Sequence, residues 1–321
     1  MIVRSLVSVL SVFFVMLVGC SRAFDYPEAK VTVKVVDELS NPVENGEVLI
    51  GFQKPKRSEQ GAIEIAERGV TGADGVFSAS SKTGSHIAYS AEKQGYYKTR
   101  GDYHFTSSTN DRWQPWNQEF KLVLRKIENP VPMYAREFRL ELPVKGKNVG
   151  FDLIEYDWVP PYGKGSHSDI VFKLDKQVVS RDEFEGKLTI VFSNKFDGVQ
   201  ILKDERKSGS DFKLPRFAPE NGYKTEMSVF RKREIGKEIE SSYSKENNYL
   251  FRIRSEEKDG KLIRAMYGKI QGDVSFDISK SNTALVVFRY YLNPDYSRNL
   301  EFDPKRNLFT DLKSGEQIGL D

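Results

Sequence analysis

The sequence predicts an all-β protein, two β-sandwich domains that follow an export leader. Three observations carry that expectation. Apolar residues alternate with polar ones along many short runs, as in Val31, Val33 and Val35 or Leu188, Ile190 and Phe192, which is the spacing of a strand with one buried face. Gly, Asn, Asp and Pro punctuate the chain between those runs. Helical periodicity is nearly absent: only residues 231–240 hint at a helix, and Gly236 weakens it.

The leader comes first. Arg4 precedes an apolar run from Leu6 to Val18 that is interrupted only by Ser8 and Ser11, the build of a signal peptide. A membrane-spanning helix needs roughly 20 apolar residues, so this run is too short to be one. Leu17-Val18-Gly19-Cys20 resembles the lipobox of bacterial lipoproteins. That resemblance implies cleavage after residue 19 and acylation of the Cys20 thiol and the new amino terminus, with residues 20–29 as a lipidated tether. Several acyl chains, each worth about 0.8 kcal/mol per buried methylene, hold a protein on a membrane almost permanently. Ser21, where an Asp would resemble an inner-membrane retention signal, favours the outer membrane of a bacterial cell envelope.

Cys20 is the chain's one cysteine, so no intramolecular disulfide is expected and stability must come from apolar cores. The length of 321 residues suffices for two of them. The 49 basic and 46 acidic residues nearly balance, and removing the leader takes away only Arg4. Charges alternate along the chain instead of forming blocks, which argues against a nucleic-acid partner.

Within residues 30–127, Val31, Val33 and Val35 mark a first strand, and Asn41-Pro42-Val43 leads to a second over Gly46–Gly51. Asp74-Gly75 reads as a tight hairpin turn that returns Phe77 to the core. Ile87–Ala91, Gly95-Tyr96-Tyr97 and the run Phe120, Leu122, Leu124 complete the set. This order of Val-rich strand, Asn-Pro-Val turn, Thr71-Gly72-Ala73-Asp74-Gly75-Val76-Phe77 and Ala91-Glu92-Lys93-Gln94-Gly95-Tyr96 resembles the carboxypeptidase regulatory-like, or transthyretin-like, β-sandwich. The resemblance implies a Greek-key module of about seven strands that serves exported bacterial proteins as a spacer or binding unit. It implies no activity here. His86, His104 and His167 lack a Glu three residues on, and the chain ends Gly319-Leu320-Asp321, so the zinc-peptidase and transthyretin-like hydrolase patterns both fail.

Glu128-Asn129-Pro130-Val131-Pro132 forms a proline-stiffened joint. Beyond it, residues 128–321 carry further alternating runs, such as Phe138, Leu140 and Leu142, Ile170, Phe172 and Leu174, and Tyr249, Phe251 and Ile253. They predict a second sandwich, jelly-roll-like, of eight or more strands. Asp259-Gly260 reads as a hairpin turn, with Arg252, Arg254 and Arg264 directed outward. This half resembles uncharacterised exported lipoproteins, which carries no activity with it.

Candidate ligand residues cluster between 151 and 169. Asp152, Glu155 and Asp157 accompany Trp158, Tyr162 and the turn Gly163-Lys164-Gly165-Ser166. Aromatic faces stack on sugar rings while carboxylates accept their hydroxyl protons, so a glycan-binding loop is one reading. In the other, the aromatic residues plug the end of the sandwich while the acids face water. A phosphate cradle would need the longer Gly-x-x-x-x-Gly-Lys spacing. Trp113 and Trp116 pose the same choice between stacking on a glycan and wedging the two sandwiches together. No catalytic residue, metal site or cofactor is assigned. The expected function is a lipid-anchored binding or assembly module for a glycan or an envelope protein. The alternative is a polysaccharide hydrolase built on the carboxylates of residues 152–157.

Overall fold

A computed structural model of the chain describes residues 26–55, 62–204, 209–278 and 282–320. The expected signal peptide and Cys20 lie outside them. The fold is all-β: every regular element among the described residues is a strand, and no helix there is long and apolar enough to cross a membrane.

Two facing sheets build the first sandwich. In one, Glu28–Val36 is flanked by Val76–Lys82, antiparallel, and Gln118–Val123, parallel, with Val33 opposite both Phe77 and Phe120. The other runs Thr99–His104, His86–Glu92, Glu47–Pro55 and Ala62–Val70, all antiparallel. Val31, Val33 and Val35 meet Ile50, Phe52, Ile87 and Tyr89 between the sheets, as the period-two pattern requires. The Asp74-Gly75 turn is present, and Gly75 takes a φ of +74°. It is not a hairpin, however. The strand before it pairs with Glu47–Pro55 and the strand after it with Glu28–Val36, so the turn carries the chain across the sandwich. A β-carbon at Gly75 would lie 2.5 Å from the Val35 carbonyl oxygen, a close approach that only glycine permits.

Two six-stranded sheets form the second sandwich. One orders Gly198–Lys203, Asn247–Lys258, Lys261–Asp277, Leu285–Asn293, Val131–Glu141 and Phe302–Asn307. The other orders Asp157–Trp158, Asn148–Asp152, Ile170–Ser180, Glu183–Val191, Glu226–Arg233 and Glu240–Ser241. Five of the ten neighbouring pairs are consecutive in the chain, and the others bring together strands distant in sequence. Phe138 lies at the heart of the core, stacked on Phe288 at 4.5 Å and edge-on to Phe151 at 4.9 Å.

Two local expectations are corrected. Residues 226–233, which overlap the hinted helix, form a strand because Glu183–Val191 offers an eight-residue antiparallel partner, and tertiary pairing outweighs a weak local propensity. The Asp259-Gly260 hairpin is present with both residues at positive φ, as a two-residue turn demands. Yet only Arg264 of the three arginines points outward. Tyr249 to Ile253 are buried on both faces: Leu250 meets a second small cluster of Ala218, Ala265, Tyr267 and Leu300. Arg252 therefore lies under that cover, with Nε donating to the Phe196 carbonyl and Nη1 to the Glu220 carbonyl.

The two sandwiches meet at a buried ionic junction. Glu301 is fully buried and accepts hydrogen bonds from Tyr97 Oη at 2.8 Å and from the Glu128 and Asn129 N–H groups at 2.9 Å. Arg216 Nη1 lies 2.8 Å from its second oxygen, while the same guanidinium reaches Glu38 and Glu128. Burial alone would raise the Glu301 carboxyl, but the two N–H groups and Arg216 hold it below its ordinary value. Around it, Phe212 packs on Tyr97, and Arg125 lies over the Phe212 ring while donating to the carbonyls of Phe212 and Leu214. Gly209–Ser210 even joins the first sandwich as an edge strand beside Thr99 and Arg100.

Trp113 and Trp116 are not this wedge. Trp113 stacks on Phe105 at 5.6 Å and donates to the Thr83 carbonyl. Arg112 covers Trp116 at 4.7 Å. Strand Gln118–Val123, roughly 20 Å long at about 3.3 Å per residue, separates their loop from the joint.

Removing one partner of a buried ion pair strands the other charge. Glu301→Ala is expected to lower stability to chemical denaturation by about 3–5 kcal/mol, read as a shift of the unfolding midpoint in circular dichroism.

Candidate functional site

The segment 151–169 folds into a closed knot. Strands Asn148–Asp152 and Asp157–Trp158 pair Phe151 with Trp158 and Asp152 with Asp157, and Tyr156 turns between them at a φ of +55°. Trp158 is buried, edge-on to Phe151 at 4.9 Å and to Phe172 at 5.8 Å.

Each predicted acid is an acceptor for the knot itself. Asp152 is fully buried. Its Oδ1 accepts from the Ile154 and Glu155 N–H groups and from Arg254 Nη2, and its Oδ2 from the His167 N–H. Glu155 accepts from the N–H and hydroxyl of Ser166, and Asp157 from the N–H groups of Trp158 and Lys164. Asp169, unremarked in the sequence, completes the group by accepting from Arg254 Nε at 2.7 Å and from the Leu153 N–H. The glycines serve close packing: a β-carbon at Gly163 would lie 2.3 Å from the Trp158 carbonyl, and one at Gly165 2.7 Å from that of Asp157.

Burial tends to raise both buried carboxyls. In Asp152 the N–H donors of Glu155 and His167, with Arg254, prevail and hold it below its ordinary value, whereas in the more enclosed Asp169 burial prevails and pushes the carboxyl up. Both acids are buried, and Arg254 pairs with each of them. Of the predicted aromatics here, only Tyr162, at 37% exposure, reaches solvent.

A surface suited to a ligand lies elsewhere in the second sandwich, where sequence reading assigned nothing. Phe230 faces outward from Glu226–Arg233 at 45% exposure, and Tyr243, after the short strand Glu240–Ser241, stands at 54%. With Ile239 they line a groove of about 390 Å³ whose floor includes Val274 and Phe276 and whose polar rim includes Ser241, Ser242 and Arg231. Ser242 fixes the geometry: its hydroxyl accepts from the Phe230 N–H at 2.9 Å, and its own N–H donates to the Phe230 carbonyl at 3.1 Å. Arg231 is held 3.8 Å from Asp277. Sequence reading missed it because this stretch gave only a weak helix hint, and Phe230 and Tyr243 come to one groove through the pairing of Glu226–Arg233 with Glu240–Ser241.

A second cluster occupies the outer face of the first sandwich. His86, Asp102 and His104 bring their ligand atoms within 4.8 Å of one another. Sequence reading missed it because His86 and His104 are far apart along the chain and become opposed only through strand pairing.

No family model matches this chain, and no curated protein matches it. Among solved structures, it is similar to 3-chlorocatechol 1,2-dioxygenase from Rhodococcus opacus at 10% identity and a TM-score of 0.27, covering 33% of this chain and 63% of that one. It is also similar to a Bacteroides uniformis protein whose description proposes carbohydrate binding, at 11% identity and a TM-score of 0.19, covering 82% of this chain and 98% of that one. These scores are too low to carry an argument about function.

Asp152→Asn is expected to cost roughly 1–3 kcal/mol at neutral pH, because the amide nitrogen that replaces one carboxylate oxygen cannot accept from the donors that oxygen satisfies. A carboxylate with a lowered folded pKa contributes stability that is complete above its unfolded value, near 3.8, and is lost as the pH falls through the folded one. Urea titrations of wild type and variant should therefore converge below that value.

Proposed function

We propose that this chain is a lipid-anchored, non-enzymatic carbohydrate-binding protein of a bacterial cell envelope. The observation that carries the reading is the Phe230–Tyr243 groove. Two exposed aromatic rings that line one groove mark an interaction surface, since folding alone would bury them. A pyranose ring presents apolar C–H faces and polar edges, which suits two rings walled by Ile239 and rimmed by Ser241, Ser242 and Arg231. The groove lacks a lining carboxylate pair of the kind glycoside hydrolysis uses, which favours binding over turnover.

The anchor and the first sandwich complete the proposal. The lipobox-like Leu17-Val18-Gly19-Cys20 would tether the chain, and the transthyretin-like module would act as a spacer that holds the groove away from the membrane. The junction at Glu301 supports a rigid spacer, because it fixes the second sandwich to the first through several charged contacts.

A glycan array probed with the full chain tests the reading. Each lost stacking contact is worth about 0.5–1.5 kcal/mol, so the double variant Phe230→Ala, Tyr243→Ala is expected to weaken binding to any hit roughly tenfold. Its melting temperature should change little, because both rings are exposed. Undiminished binding in the double variant, or no glycan bound by the wild type, would overturn the assignment.

A further inference from the structure

We infer that His86, Asp102 and His104 form a binding site for a first-row divalent cation of the Zn²⁺ class. The three side chains share the outer face of two neighbouring strands of one sheet. Strands His86–Glu92 and Thr99–His104 run antiparallel, with His86 directly opposite His104 and Ala88 opposite Asp102. Because strand residues alternate faces, Ile87, Tyr89 and Ala91 fill the core while 86, 102 and 104 face out.

The geometry is already close to a coordination shell. The imidazole centroids lie 4.4 Å apart at 32°, and His86 Nε2 is 3.9 Å from Asp102 Oδ2. Ala88, the residue opposite Asp102, contributes only a methyl group, so the carboxylate can swing toward the rings. Rotation of exposed side chains suffices to reach the bonds of about 2.0–2.2 Å that Zn²⁺ makes to imidazole nitrogen and carboxylate oxygen. The backbone beneath is pinned on both sides of the pair. The Phe105 N–H donates to the Ser85 carbonyl at 2.8 Å, and the Thr83 hydroxyl donates to the Gln53 carbonyl at 3.0 Å. The ordering cost of binding is therefore confined to three side chains.

The donor set selects the metal. Two imidazoles and one carboxylate suit Zn²⁺, Ni²⁺ or Cu²⁺, whereas Ca²⁺ and Mg²⁺ want a shell of oxygens. Three protein ligands leave a fourth position for water or an outside donor. The site also lies at the end of the sandwich where the described chain begins, since the Thr83 N–H donates to the Pro27 carbonyl.

The test is a Zn²⁺ titration of the full chain carrying Cys20→Ser, which removes the one thiol that would compete, followed by displacement of a chromophoric indicator. Binding of one Zn²⁺ per chain is expected. His86→Ala and His104→Ala should each weaken it on the order of tenfold or more, as loss of a ligand demands, while His167→Ala should leave it unchanged. Saturating Zn²⁺ should raise the melting temperature of the wild type but not of the His86→Ala, His104→Ala double variant. Metal-free melting temperatures of the single variants should match the wild type, which separates ligand loss from misfolding. Zn²⁺ binding that survives in the double variant, or a wild type that binds no Zn²⁺ at micromolar concentration, would overturn the inference.

Discussion

The buried carboxylate of Glu301 is the constraint on which the arrangement of this molecule depends. It belongs to the second sandwich, yet its acceptor positions are filled by Tyr97 from the first, by the N–H groups of the joint at Glu128 and Asn129, and by Arg216. A fully desolvated charge tolerates no loss of these partners. The joint therefore cannot swing freely without uncovering it. Phe212, packed on Tyr97 and covered by the guanidinium of Arg125, adds an apolar seal, and the Lys269 ammonium stands 4.7 Å from the centre of the same ring.

The same logic recurs inside the second sandwich. Arg254 sits at a φ of +49° and satisfies both Asp152 and Asp169. The pair ties the loop after strand Asn148–Asp152 to the long hairpin of the opposite sheet. Tyr290 donates to the Leu153 carbonyl from that sheet as well. A segment rich in carboxylates, aromatics and glycine thus spends its chemistry on holding two sheets together. Such composition looks like a ligand site in sequence because the groups that recognise a sugar are the same groups that satisfy a tight, buried turn.

The two surfaces with unspent chemistry have the opposite character. Phe230 and Tyr243 project from the last strands of one sheet, and His86 and His104 from the outer face of another. Neither set contributes to a core, and each is positioned by strands whose inward residues do. Rigid strands beneath exposed side chains are a suitable base for recognition, since the backbone loses little freedom when a ligand arrives.

The sequence by itself determined the all-β class, the strand runs, the turns at Asp74-Gly75 and Asp259-Gly260, and the apolar residues of both cores. These are encoded locally, in period-two alternation and in residues that accept positive φ. It did not reveal that 226–233 is a strand, that Arg252 is buried and Arg254 half-buried, or that Asp152 faces an arginine about a hundred positions away. Nor could it bring His86 against His104 or Phe230 and Tyr243 to one groove. Only the tertiary structure decided these, because strand pairing and sheet packing join residues distant in the chain, and a charge's surroundings, not its identity, settle whether it binds a ligand or braces the fold.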